Sequence, residues 1–184
     1  EKIREYFPAD RVIRGMFEAY SKLLNVRFEE VSTATTWAEN VKLYKVIDGP
    51  TQGKSTQGQL IGYFYTDFFP RDGKYGHAAA FPLKTARQVG DHYQQPVSAI
   101  VANFNPPANG KPSLLNHAEV ETVFHEFGHI MHQVLTRAPF ASLSGTSVAQ
   151  DFVEAPSQML EEWVWSPELL SSLSGHYQDT TKPL

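Results

Sequence analysis

The sequence predicts an α+β fold: a small mixed or antiparallel sheet of four to five strands packed on helices. Three observations carry that expectation. Apolar residues recur at helical spacing near both ends, within residues 10–24 and 116–137. Between them, residues 26–104 hold runs of β-branched and aromatic residues bounded by Gly, Pro, Asp and Asn. The chain has 184 residues and is 41% apolar, which suits a packed core rather than disorder.

The leading helix occupies residues 1–25. Asp10 is a candidate cap, Val12, Ile13, Met16, Phe17, Tyr20, Leu23 and Leu24 form its apolar face, and Asn25 is a natural stop. In the sheet region, residues 26–104, the runs 27–31, 41–47, 60–68 and 97–103 read as strands. Lys42 and Lys45 within the second run point to a wet face. The polar stretch from Asp48 to Gln59 joins the second and third runs as a hairpin, with the composition of a mobile loop. His77, Ala78 and Ala79 begin a short extended segment of small residues reaching Phe81. Read as an edge strand, it would let another backbone pair with it; read blandly, it is a tightly packed buried strand. A Pro/Gly/Asn loop at 105–112 leads to the next helix, 113–138.

That helix contains His125-Glu126-Phe127-Gly128-His129, the pattern H-E-x-x-H. Asn116 and Glu119 have capping-box spacing, and Val120, Val123, Phe124, Phe127, Met131 and Val134 make a core-facing stripe. The two histidines stand one turn apart on one face, so two imidazole nitrogens can reach one metal ion. Glu126 points elsewhere around the helix, where a general base would stand. Glu121, one turn before His125, could accept a hydrogen bond from the far nitrogen of a ligand imidazole; a plain surface carboxylate is the other reading. His132 has the wrong spacing for a ligand.

A catalytic zinc, Zn2+, needs a third protein ligand. With no cysteine in the chain, it must be His, Asp or Glu. Residues 147–165 read as a further helix bearing Asp151, Glu154, Glu161 and Glu162, with Pro156 kinking it or opening its second part. Spacing does not choose among the four acids, although Glu161 and Glu162 look like a solvated face.

Four separated segments agree in order with one family. They are Phe124 to His129, Asp151 to Glu161 (which contains Val-Glu-Ala-Pro-Ser-Gln-Met), Phe69 to Ala79, and Val101 to Phe104. With them the chain resembles the thimet oligopeptidase and neurolysin family of zinc metallopeptidases over nearly its whole length. The resemblance implies zinc ligands His125, His129 and Glu154, Glu126 as general base, and an acidic position at Glu121. It implies an edge strand around His77, Ala78 and Ala79 that aligns short peptide substrates over one zinc per chain, and a cytoplasmic location. Ala38 follows Trp37 where histidine often stands in the family. The family's much greater length implies that this chain is a partial, zincin-like catalytic domain whose partner is the remainder of the parent polypeptide. Tyr and His groups from a later glycine-rich loop would then be supplied by that remainder. The alternative expectation is a zinc- and peptide-binding fragment without useful turnover.

Other classes fare worse. A net charge of −4 gives no electrostatic footprint for nucleic acid. No apolar run approaches a membrane span of about 18 residues. A di-iron bundle would need Glu-x-x-His on two helices; Glu126 to His129 supplies one and no second is found.

Overall fold

A computed structural model describes residues 2–49, 58–179 and 181–184. After a 3-10 turn at Lys2–Tyr6, helix α1 runs Ala9–Leu24. Three strands follow: β1 Val26–Glu30, β2 Lys42–Asp48 and β3 Leu60–Asp67. Then come β4 Ala79–Lys84, β5 Arg87–Val89, β6 His92–Gln94 and β7 Val97–Val101. Helix α2 spans His117–Val134, α3 Ala155–Glu161 and α4 Pro167–Leu173, with a 3-10 turn at Glu162–Trp165 between the last two. This is the expected α+β class. The main sheet has five strands in the order β1-β2-β3-β7-β4, and β5 pairs with β6 as a separate small hairpin. All neighbours in the main sheet are antiparallel except β3 and β7.

Helices α1 and α2 pack on one face of this sheet around aromatic side chains. Phe127 of α2 lies 5.2 Å from Phe64 of β3, 5.4 Å from Phe17 of α1 and 4.8 Å from Tyr20, ring centre to ring centre. The Tyr20 hydroxyl donates to the Phe124 carbonyl at 2.9 Å, so the buried ring keeps a polar partner. Burial pushes the Tyr20 phenol far above its ordinary range. Phe127 thus seats the middle of α2 on the sheet, and its neighbours in sequence, Glu126 and Gly128, flank that contact.

Asn25 ends α1 in the left-handed conformation, as expected of an Asn stop. The cap does not follow expectation. Pro8 precedes the helix, and Asp10 lies inside the first turn, where its charge favours the helix dipole without capping an amide. The hairpin between β2 and β3 is closed by the Asp48 amide donating to the Gln59 carbonyl at 2.9 Å. Its tip, and the expectation of a mobile loop there, lie outside the described residues.

The expected single helix over 147–165 is a larger correction. Residues 150–154 form turns, and helix begins only at Ala155. Pro156 explains this, since it has no N–H to donate and fits only a first turn.

The loop from β3 to β4 is tied down by a buried ion cluster. The Lys74 ammonium donates to the carbonyls of Asp67 (2.9 Å), Phe69 (2.7 Å) and Ala102 (2.5 Å), and pairs with the Asp67 carboxylate at 2.9 Å. Arg71 adds two bonds to that carboxylate at 2.7 and 2.8 Å, and the Trp37 indole one at 2.9 Å. Burial raises the Asp67 pKa, but these donors overcome it and hold the carboxyl at about 2. Lys74 therefore joins the ends of β3 and β7 at the point from which the chain departs for β4.

Candidate metal centre

The capping box at the start of α2 forms as expected. The Asn116 side chain accepts from the Glu119 amide at 2.8 Å, and the Glu119 carboxylate accepts from the Asn116 amide at 2.7 Å. With Val120, Val123, Phe124, Phe127 and Val134 turned into the core, the helical repeat leaves His125 and His129 on the opposite face. Their ring centres are 4.9 Å apart and nearly perpendicular.

Both rings aim Nε2 at one carboxylate oxygen. Glu154 Oε2 lies 3.2 Å from His125 Nε2 and 3.0 Å from His129 Nε2. Glu154 stands just before α3, and its carboxylate accepts from the Ser157 hydroxyl at 3.0 Å. A glycine makes the approach possible. A Cβ at Gly128 would come within 2.7 Å of the Ser157 Cα, so any other residue would push α3, and Glu154 with it, off α2.

The far side of His125 is held as well. Its Nδ1 meets Glu161 Oε2 at 2.5 Å. An ionised carboxylate only accepts, so Nδ1 carries a proton, and Nε2 is the nitrogen left for a metal to take. Two imidazole nitrogens and a carboxylate oxygen converging on one point are a donor set that a divalent cation takes. The dimensions fit such an ion. Bonds of about 2.0–2.2 Å in tetrahedral geometry put ligand atoms about 3.3–3.6 Å apart, slightly wider than the spacing here. Among the described residues, His125, His129 and Glu154 form the single group whose ligand atoms all fall within 4.8 Å of one another.

Of the four acids left open by spacing, the structure brings Glu154 to the imidazoles. Asp151 sits exposed in the preceding turn, and Glu162 is exposed too. Glu161 corrects the expectation of a solvated face, because it is the carboxylate on His125. Glu121 takes the second of its two readings, a carboxylate at the surface. It accepts from the Trp165 indole at 3.2 Å, and the imidazole contact expected of it is made by Glu161. A signal for Glu161 was present in the sequence: it stands seven residues after Glu154, two turns along a helical face. His132 stays outside the group and packs near Phe152, with its pKa lowered by burial.

Glu126 is half-buried on the side of α2 that faces β4. Burial raises its pKa; the charge of His125 opposes this, Glu154 reinforces it, and the Ala80 backbone amide pulls it down. Strand β4 is the end strand of the sheet, as the edge-strand reading required. Ala79 opens it and Ala78 leads into it, while His77 is exposed beside the Tyr75 ring at 5.7 Å.

Two imidazoles from one helix, a carboxylate from the next segment and a flanking free glutamate beside a strand edge define a metal-centre class of site. The chain belongs to Peptidase family M3, whose sequence profile matches residues 1–183. It is 48% identical to the thimet-like oligopeptidase of Dictyostelium discoideum, over 99% of this chain and 27% of that protein. It is 43% identical to saccharolysin of Saccharomyces cerevisiae, over 99% of this chain and 26% of that protein. It is 39% identical to oligopeptidase A of Escherichia coli strain K12, over 100% of this chain and 26% of that protein. The chain thus spans about a quarter of the length of these relatives. Among the described residues, no helix is long and apolar enough to cross a membrane.

Proposed function

We propose that this chain is the zinc-binding catalytic segment of a longer cytoplasmic metallopeptidase that hydrolyses peptide bonds in short oligopeptides. The observation that carries the reading is the convergence of His125, His129 and Glu154 on one point, with Glu126 free beside it. Membership of Peptidase family M3 supports the reaction class.

His125, His129 and Glu154 would hold the zinc, and Glu161 fixes the tautomer of His125. Bound there, zinc supplies a Lewis acid and a water of lowered pKa. Glu126 takes the proton from the attacking water as the scissile carbonyl is attacked, and delivers it to the leaving amine. The backbone of β4 around Ala78–Ala80 aligns an extended substrate beside Glu126, with His77 and Tyr75 at its start.

The test is Glu126→Gln in the full-length protein. Zinc content stays at one per chain, and cleavage of a quenched fluorescent peptide falls by at least about 10²-fold. Undiminished cleavage would show that Glu126 is not the base. The chain's length favours a second reading of the isolated segment: a zinc- and peptide-binding piece without useful turnover, because oxyanion donors come from the remaining three quarters. Losing one such donor costs about 10²–10³-fold. Comparing cleavage by residues 1–184 and by the whole protein at equal zinc loading decides between them.

A further inference from the structure

Among the described residues, strand β4 pairs on one side only, with β7. Successive residues of a strand turn their backbone N–H and C=O groups to alternate sides in the plane of the sheet. Pro82 has no N–H to give β7, so its side of the strand is the outward one, and the Ala80 amide, two residues before it, lies on that same side toward Glu126. Ala78, Ala80 and Pro82 therefore share the direction of the free edge, while Ala79 and Phe81 face β7.

Pro82 breaks that edge, because it has no N–H. Standing opposite Ser98, it costs the β4–β7 ladder nothing, since its nitrogen points outward; that is the position proline tolerates in a sheet. The residue after it adds a second break. Register passes from Pro82 opposite Ser98 to Lys84 opposite Val97, which leaves Leu83 as the extra residue of a bulge. A bulge bends its strand and increases the local twist. Donors and direction are thus both lost within three residues of Ala80.

We infer that Pro82 ends the backbone template of β4, so that a peptide adding to this edge is paired over Ala78–Ala80 and gains no further main-chain hydrogen bond past Pro82. The inference rests on the peptidase reading above and adds a selectivity to it. Lengthening a substrate along the Pro82 side brings no affinity through the strand, so the enzyme commits to peptides on the strength of a short extended segment.

The test uses the full-length zinc-loaded protein and quenched fluorescent peptides cut at the same bond, extended by two residues on one side or the other. In the wild type, extension toward Pro82 leaves KM unchanged. Pro82→Ala restores a donor, and the preference for the longer peptide rises about two- to tenfold through KM, the worth of one net hydrogen bond. A second measurement needs no variant. Replacing the peptide's carbonyls one at a time by thiocarbonyls, which accept hydrogen bonds more weakly, raises KM opposite the amides of Ala78–Ala80 and leaves it unchanged opposite the Pro82 nitrogen, which has no N–H to donate. An unchanged length preference in Pro82→Ala, or a thiocarbonyl penalty opposite the Pro82 nitrogen equal to that opposite the Ala80 amide, overturns the inference while the peptidase reading stands. Failure of the wild type to cleave any of these peptides removes the peptidase reading and this inference together.

Discussion

Glu161 and Glu121 are both glutamates within reach of α2, and their partners separate them. Glu161 accepts the proton-bearing nitrogen of His125, whereas Glu121 accepts an exposed indole N–H. A carboxylate on the far nitrogen of a metal-binding histidine sets the ring's orientation and raises its basicity, and its loss typically costs about 10–100-fold in metal affinity. Glu161→Gln should therefore weaken zinc binding by that factor, read by competition with a chromophoric chelator. Glu121→Gln should leave zinc affinity within about twofold, since a surface hydrogen bond of this kind contributes little to a site it does not touch. Equal losses in the two variants would mean that His125 is not oriented by Glu161.

Between elements, the decisive contact is α2 against α3. Gly128 faces Ser157 so closely that a methyl group cannot fit without moving the backbone of α3. Gly128→Ala would displace Glu154 from the imidazoles, and overpacking of this kind costs about 1–3 kcal/mol. The variant should lower the melting temperature and zinc affinity together, and a melting temperature lowered in the apoprotein as well would tie the loss to packing. This contact also marks where sequence reading succeeds and where it stops. Helix α2 was legible because cap, stripe and histidine spacing are local and agree. Glu154 was not chosen by spacing, because four acids follow within one stretch and only the α2–α3 approach selects among them. Residues 150–154 fall in the stretch 147–165 that reads as one helix, but Pro156 fits only a first turn, so helix begins at Ala155. The β5–β6 hairpin escaped notice because its three-residue strands are fixed from outside. The Tyr93 hydroxyl reaches the carbonyls of Thr136 and Ala138 beyond α2, and the Gln88 amide donates to Pro139.

For the molecule as a whole, the sheet and the two long helices enclose a continuous core, yet several large apolar residues stand in the open. Phe140, Leu143 and Met159 are each more than 60% exposed, and Phe152 and Trp165 more than half. Leu23, Leu143, Val148 and Met159 line one hollow of about 510 Å³ beside α3, and Leu23 continues into a second of about 810 Å³ with Trp163 and Leu169. Single exposed apolar residues are ordinary, but a contiguous patch of this kind marks a surface that packs against something. The relatives extend over about four times this length, and on the function proposed above the cover is further chain of a longer protein. Residues 1–184 alone should then self-associate at micromolar concentration and bind a dye specific for exposed apolar surface, whereas the full-length protein should do neither. Replacing Leu143 and Met159 together by polar residues should reduce association of the segment and destabilise the whole protein, measured by light scattering for the first and by melting temperature for the second. A segment that stays monomeric, or a whole protein indifferent to both substitutions, would mean that this face is solvent-exposed in the parent as well.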